Sequence, residues 1–278
     1  MLANSTISTL VVYVNDLETS KTFYGKMLEL RLLQENSSYA SYAAGSVVLE
    51  SRSARSDGVE LAHGRDDASL IVFHVNDLDR MRSDLQARGV QFGETLRYEI
   101  GATAAFYDPD GHNITLYEPS PESMTWPSAA KIRELTQPHT GSDLLRDSPA
   151  IYLFLFVKSA SEAFDFYHGK LGLTILEEDP QAGVVKYDGH SIILATHVVG
   201  GDSRCAIDMD LGRAKGVAPA FSVEDIGAAY RGLSASNIPF KEPAGEHRIP
   251  STYFKDPNGH PIFIRSSASQ PAPRAALA

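Results

Sequence analysis

The same order of apolar and polar positions runs through this chain four times. Residues 9–14 (Thr-Leu-Val-Val-Tyr-Val) are β-branched and aromatic, which predicts a strand. Asn15 and Asp16 offer an N-cap, and Leu17, Phe23, Tyr24, Met27 and Leu28 follow at helical spacing, predicting a helix over 17–27. Two shorter strands are expected at 38–43 and 46–51, joined by a turn at Ala44-Gly45. The pattern restarts with a strand over 70–75, a cap at Asn76-Asp77 and a helix over 78–88 that ends at Gly89. Strands then lead through Phe106-Tyr107 and over 114–118. A third round opens with a strand over 151–157, a helix over 159–170 and strands over 183–187 and 191–197. The fourth runs from Val217 through a helix to about residue 235 and closes in a hairpin.

The repetition is literal in places. Val14-Asn15-Asp16-Leu17 returns as Val75-Asn76-Asp77-Leu78, and Phe23-Tyr24-Gly25-Lys26 is echoed by Phe166-Tyr167-His168-Gly169-Lys170. The turn Asp108-Pro109-Asp110-Gly111-His112 returns as Asp256-Pro257-Asn258-Gly259-His260, each between an aromatic strand and an apolar one. Proline presets the turn and glycine supplies a backbone conformation that other residues avoid. Self-similarity of this kind outranks any single motif in reading a fold. Between the halves, from about 119 to 148, the texture shifts to Pro, Ser and charge, with a short helix expected at 128–135 and Trp126 pinned against one domain.

Composition adds bounds. A chain of 278 residues suits two domains, here 1–120 and 148–266, with a linker over 121–147 and a tail over 267–278 expected to be disordered. With 43% hydrophobic residues, 22% charged and mean hydropathy −0.18, it reads as an ordinary globular protein. Net charge −10 without a basic cluster argues against nucleic acid as a partner. No apolar run is long enough for a bilayer, and residues 1–9 lack a signal-peptide pattern, so no membrane partner is expected. The single Cys205 fits a reducing compartment, and a cytoplasmic location follows as the expectation.

These motifs resemble the vicinal oxygen chelate superfamily, which includes glyoxalase I, extradiol dioxygenases and bleomycin-resistance proteins. The resemblance rests on residues 14–24, on 166–173 and on the two Asp-Pro-x-Gly-His turns, and it covers all but linker and tail. It implies an α+β fold of four βαβββ units, paired into two tandem cup-shaped domains that each hold one small molecule. Such a fold does not fix function.

Enzymes of that family hold a divalent metal through residues on the first and last strand of each unit. Aligned on the Phe-Tyr pairs, the cap phrases and the turns, those positions fall on Thr9, Glu50, Leu70 and Thr115 in the first half. In the second they fall on Tyr152, Ala195, Ala218 and Phe263. A metal of this kind needs imidazole or carboxylate donors in three or four places, and only Glu50 qualifies. The expectation is therefore no cofactor, with a divalent metal as the alternative. Strand alternation puts His74 on the face of Leu70 and Val72, where it either forms a displaced pair with Glu50 or is simply a hydrogen-bonded strand-end histidine. His112 and His260 read as turn or surface residues. His247 and Tyr253 fall near positions flanking the metal in the ring-cleaving dioxygenases, and Tyr253 could equally be core.

Alternation also places Tyr152, Phe154 and Phe156 on one face, opposite Phe263 and Arg265 across a sheet. Left open, these rings stack on a planar guest, with Arg265 or His197 meeting an anionic group and Ala218 leaving room; filled by neighbours, they are core. Three functions stay in play, one of them a structural or interaction protein with both cups closed by side chains; the other two use an open cup. One is metal-independent binding of a planar, largely apolar, aromatic small molecule in the second half, for sequestration or resistance. The other is a dioxygenase, lyase or isomerase using a displaced metal or acid/base residues Glu50, His74, His247 and Tyr253. A homodimer is left open. Nothing in the sequence offers a nucleophile motif or a phosphate-cradling loop.

Overall fold

The structure, a computed structural model, describes residues 2–57, 61, 66–137, 144–198, 217–239 and 251–267. The expected tail beyond residue 267, and His247, lie outside them. The first unit comprises β1 (Thr6–Val14), α1 (Leu17–Lys21) running into a π-helical turn (Thr22–Met27), β2 (Leu32–Glu35), β3 (Tyr39–Ala44), β4 (Val47–Ser53) and the short α2 (Ala54–Asp57). The second comprises β5 (Asp66–His74), α3 (Leu78–Ala87), β6 (Phe92–Tyr98), β7 (Gly101–Tyr107) and β8 (His112–Pro119). The connection carries α4 (Ala129–Thr136) between 3-10 turns at Ser123–Thr125 and Leu145–Asp147. In the third unit are β9 (Ala150–Val157), α5 (Ala160–Phe164) with a π-helical turn (Asp165–Lys170), β10 (Ile175–Asp179), β11 (Val184–Asp188) and β12 (Ile193–Val198). The fourth holds β13 (Val217–Val223), α6 (Ile226–Ala235), β14 (Ser251–Lys255) and β15 (Pro261–Ser266).

The strands β2 and β10 complete the expected βαβββ units, although the sequence pattern did not locate them. Each opens on two apolar residues and ends polar, Leu-Leu-Gln-Glu and Ile-Leu-Glu-Glu-Asp, and both are sheet edges, where charge discourages pairing with another chain. The helices start where the cap phrases place them: Asp16, Asp77, Ser159 and Asp225 each accept a backbone N–H from the first turn.

The pairing of the units differs from the expected one. One sheet runs β14-β15-β13-β1-β4-β3-β2 and the other β10-β11-β12-β9-β5-β8-β7-β6. The first unit thus shares a sheet with the fourth, and the second with the third. β1 and β13 join antiparallel, with Val11 opposite Ala218, and β5 joins β9 likewise, with Val72 opposite Tyr152. Each cup is therefore built across the midpoint of the chain. The sequence pattern satisfies either pairing, because every unit opens with the same kind of strand and buries it the same way.

The helical sides connect units within a half. Leu28 N–H donates to Phe23 O (3.0 Å) and Leu171 N–H to Phe166 O (2.9 Å), five residues back, which gives the π-helical turns their wider pitch. There Tyr24 donates to Asp108 Oδ2 (2.8 Å) and Tyr167 to Asp256 Oδ2 (2.9 Å). Each aspartate also accepts the backbone N–H two and four residues on, at 2.8–3.0 Å, so the Asp-Pro-x-Gly-His turn is folded around its own first side chain. His112 and His260 are turn residues, but they are not on the surface: they are 2% and 1% exposed. His112 Nδ1 bonds Asp108 (2.8 Å), and His260 Nε2 bonds Phe156 O (2.8 Å). One continuous core holds the outer faces of both sheets and the inner faces of the helices, from Ile7 and Leu49 to Ile71, Leu153, Phe221 and Ile264.

Candidate functional site

Strand register puts the eight family metal positions on the inward faces, in a different partition from the expected one. Thr9, Glu50, Ala218 and Phe263 share the first sheet; Leu70, Thr115, Tyr152 and Ala195 share the second. The proposed ligand residues divide the same way. Ala218, Phe263 and Arg265 belong to the first cup, whereas Tyr152, Phe154, Phe156 and His197 belong to the second, so Tyr152, Phe154 and Phe156 do not face Phe263 and Arg265. The pairing of Glu50 with His74 fails too, since His74 ends β5 in the other sheet and Glu50 lies in β4. Burial lowers the affinity of His74 for a proton.

In the first cup, Glu50 is 7% exposed and gripped from two sides. Arg265 donates Nη1 to Oε2 (3.0 Å) and Nη2 to Oε1 (2.9 Å), a bidentate pair. β4 and β15 are separated by β1 and β13, about 14 Å on a flat sheet. The contact exists because the sheet curls and both side chains reach inward. Arg52 donates to Glu50 Oε1 (3.1 Å) and also pairs with Asp57, whose Oδ2 accepts from Tyr13 Oη (3.2 Å). Burial by itself would raise the Glu50 carboxyl, but the hydrogen bonds and charge of Arg265, joined by Arg52, outweigh it and hold the carboxyl below its ordinary range. The Tyr13 hydroxyl is pushed upward by burial and by the Asp57 charge.

Beside this network stands an aromatic wall. The Phe263 ring lies 5.6 Å from Tyr253 and 6.3 Å from Tyr13, both tilted. Val11, Ala54, Ala218, Ala220 and Leu61 complete the apolar patch. Arg52, Asp57 and Tyr13 were not singled out from the sequence. Tyr13 and Arg52 could have been, since each lies an even number of residues along its strand from Thr9 and Glu50. Asp57 lies beyond β4 in α2 and carries no such periodic signal.

The second cup is occupied by the connection between the halves. Ile132 and Leu135 of α4, with Met124, pack on Leu70, Val72, Tyr117, Tyr152, Phe154 and Ile193. The His197 ring lies 5.4 Å from Phe156, tilted against it, and burial lowers its affinity for a proton. Trp126 is pinned as expected, under Lys186 Nζ at 4.9 Å from the ring centre.

The residues do not fit a family metal. In the first cup the donor set is one carboxylate, a threonine, an alanine and a phenylalanine, and that carboxylate already faces two guanidinium groups. In the second it is a leucine, a threonine, a tyrosine and an alanine.

The model of the Glyoxalase/Bleomycin resistance protein/Dioxygenase superfamily matches residues 6–116 and 150–264. The chain belongs to that superfamily and carries two tandem glyoxalase-like domains. Among solved structures it is similar to glyoxalase I from Zea mays, at 13% identity and TM-score 0.62, over 94% of this chain and 92% of that one. It is likewise similar to a putative dioxygenase from Bacillus subtilis subsp. subtilis str. 168, at 12% identity and TM-score 0.61, over 94% and 84%. An antibiotic binding protein from Streptomyces sp. CB03234, TnmS3, aligns at 26% identity and TM-score 0.35 over 41% of this chain and 94% of its own. No curated protein matches the sequence. Among the described residues, no helix is long and apolar enough to cross a membrane.

Proposed function

We propose that the chain binds a planar, largely apolar, aromatic small molecule in the first cup without a metal, and that it works in the cytoplasm. The observation that supports this most is the Arg265–Glu50 pair. The only carboxylate at the eight family positions is neutralised by a guanidinium that extends from the same strand as Phe263, two residues on. A carboxylate so held has little left to offer a cation, and its depressed pKa suits it poorly to accept or return a proton near neutrality. With His74 in the other sheet, the acid/base alternative loses its proposed pair. What the cup presents instead is a wall of Tyr13, Phe263 and Tyr253 over the small side chains of Ala218 and Ala220, with hydrogen-bonding groups at one end. That combination, mostly apolar with a few placed polar groups, suits a flat guest carrying a polar edge.

The test is a thermal-shift screen of aromatic carboxylic acids, quinones and polyphenols beside Mn²⁺, Fe²⁺, Ni²⁺ and Zn²⁺. A guest that binds only the folded chain stabilises it by about 2.7 kcal/mol at a hundred times its Kd. The expected result is a rise in Tm with one aromatic class and none with any metal, with loss of the rise in Phe263→Ala. A reproducible rise with a metal that disappears in Glu50→Ala would overturn the reading.

A further inference from the structure

We propose that residues 123–136 are a plug, a tethered ligand that closes the second cup, and that the cup beneath takes planar aromatic molecules once the plug leaves. This extends the metal-free binding proposed for the first cup to a second, covered site, and it stands on separate residues. The segment is seated as a guest would be. Ile132, Leu135 and Met124 lie on the inward face of the second sheet, against Tyr152 and Phe154. A polar latch fixes one end. Lys186, 7% exposed, donates to Glu177 Oε1 (2.6 Å) and to Ser128 Oγ (3.1 Å), and the Ser128 N–H donates to Glu177 Oε2 (3.0 Å). The same ammonium lies 4.9 Å from the centre of the Trp126 ring and 5.7 Å from that of Tyr152. A cation over an indole face in a dry setting is a favourable contact. Lys131 reaches Asp188 (3.4 Å), and the Tyr117 hydroxyl, bonded to Ser123 Oγ (3.1 Å), holds the entry of the segment.

The occupant shows what the cup recognises. It places an aromatic ring beneath Lys186 and aliphatic bulk on Tyr152 and Phe154, which are the requirements of a flat apolar guest. Neither half needs this segment for its sheets: no strand of either sheet comes from it. Its attachment is side-chain packing and the latch, so it can leave while both sheets persist.

Trp126 is the only tryptophan in the chain, and its fluorescence reports the plug directly. In the full chain, Lys186→Met removes the latch at similar volume, and Ile132→Asp/Leu135→Asp expels the helix. The probe is 1-anilinonaphthalene-8-sulfonate, titrated in an Ala218→Phe background so that the first cup is filled and the outcome is independent of it. The expected result is slow acrylamide quenching of Trp126 in the parent, at least threefold faster quenching in both variants, and one added saturable probe site per chain in the double variant. Adding Tyr152→Ala to that variant should weaken the new site at least fivefold with far-UV circular dichroism unchanged. Trp126 quenched as fast in the parent as in Lys186→Met would show that there is no plug. Released Trp126 without a new saturable site, or a new site indifferent to Tyr152→Ala, would show that the cup is not a binding site. Should the double variant lose its circular dichroism, Lys186→Met titrated with the same probe decides by the same criteria.

Discussion

Arg265 and Glu50 meet across the mouth of a sheet to which the two ends of the chain contribute in turn, one from β15 and the other from β4. Their bidentate pair, with N–O distances of 2.9 and 3.0 Å, joins the first unit to the fourth and sets the charge of the first cup. Removing one partner should cost more than removing both. Arg265→Met leaves Glu50 buried with Arg52 alone, and a broken buried pair typically costs about 3–5 kcal/mol. Glu50→Gln with Arg265→Met should cost clearly less. Urea unfolding of both single variants and the double gives the coupling. A coupling near zero would mean that the pair is solvated and does not organise the cup.

The same contact sets the acid limb of stability. Glu50 and Asp108 both have folded-state pKa values below their ordinary ones, 4.5 and 3.8. Burial opposes this in both, and it is overcome by Arg265 and Arg52 in one and by His112 and Tyr24 in the other. A depressed carboxylate contributes stability that is fully present above its unfolded pKa and is lost as pH falls through the folded value. Stability should therefore be flat from neutrality to about pH 5 as far as these groups matter, and fall below that. Glu50→Gln should lower the plateau and flatten the fall. Equal slopes in parent and variant between pH 5 and pH 2.5 would remove Glu50 from the account.

Tyr24→Phe and Tyr167→Phe test the links between units within a half. Each deletes one hydroxyl that donates, at 2.8 and 2.9 Å, to Oδ2 of a buried aspartate whose Oδ1 is satisfied by its own turn. A hydrogen bond to a charged group contributes about 1.5–3 kcal/mol. Because the two sites lie in different halves and share no partner, their effects should add within about 0.5 kcal/mol. Chemical denaturation of the two singles and the double checks both the size and the additivity.

How much of this was legible in the sequence depends on what each residue answers to. The units, caps and turns were readable because they are local. Asp16 and Asp77 cap the helix that follows them, and Asp108 and Asp256 fold the turn they begin. The π-helical turns at Phe23-Tyr24 and Phe166-Tyr167 were seen as a motif but not as a change of pitch, and the aspartate that each tyrosine meets, over 80 residues away, leaves no periodic trace. The partition of the site was not legible at all. Tyr152 and Phe263 alternate correctly along β9 and β15, yet alternation says which face a side chain occupies and not which sheet receives the strand. The burial of His112 and His260 was missed for a related reason: a Pro/Gly turn signals exposure unless its side chains find partners, and here Asp108 and the Phe156 carbonyl supply them.

Cutting the chain gives the sharpest test of that topology. Fragments 1–120 and 148–278 each contain one family-model match, and each would fold alone if the cups were built within halves. In the structure, each fragment loses a central partner twice over. The N-terminal piece leaves β1 without β13 and β5 without β9, and the C-terminal piece leaves the reciprocal edges bare. Those edges carry the inward residues Val11, Ala218, Val72 and Tyr152, all buried in the intact chain. Apolar central strands stripped of their neighbours are templates for aggregation, and neither fragment keeps a complete cup. Expressed separately, the fragments should be insoluble or show little cooperative unfolding. Mixed from denaturant or made together, they should form a one-to-one complex with the circular dichroism of the parent, lacking only the plug and its Lys186 contact. Two separately stable fragments with sharp thermal transitions would mean that the units pair within each half in solution and that the crossed sheets are wrong.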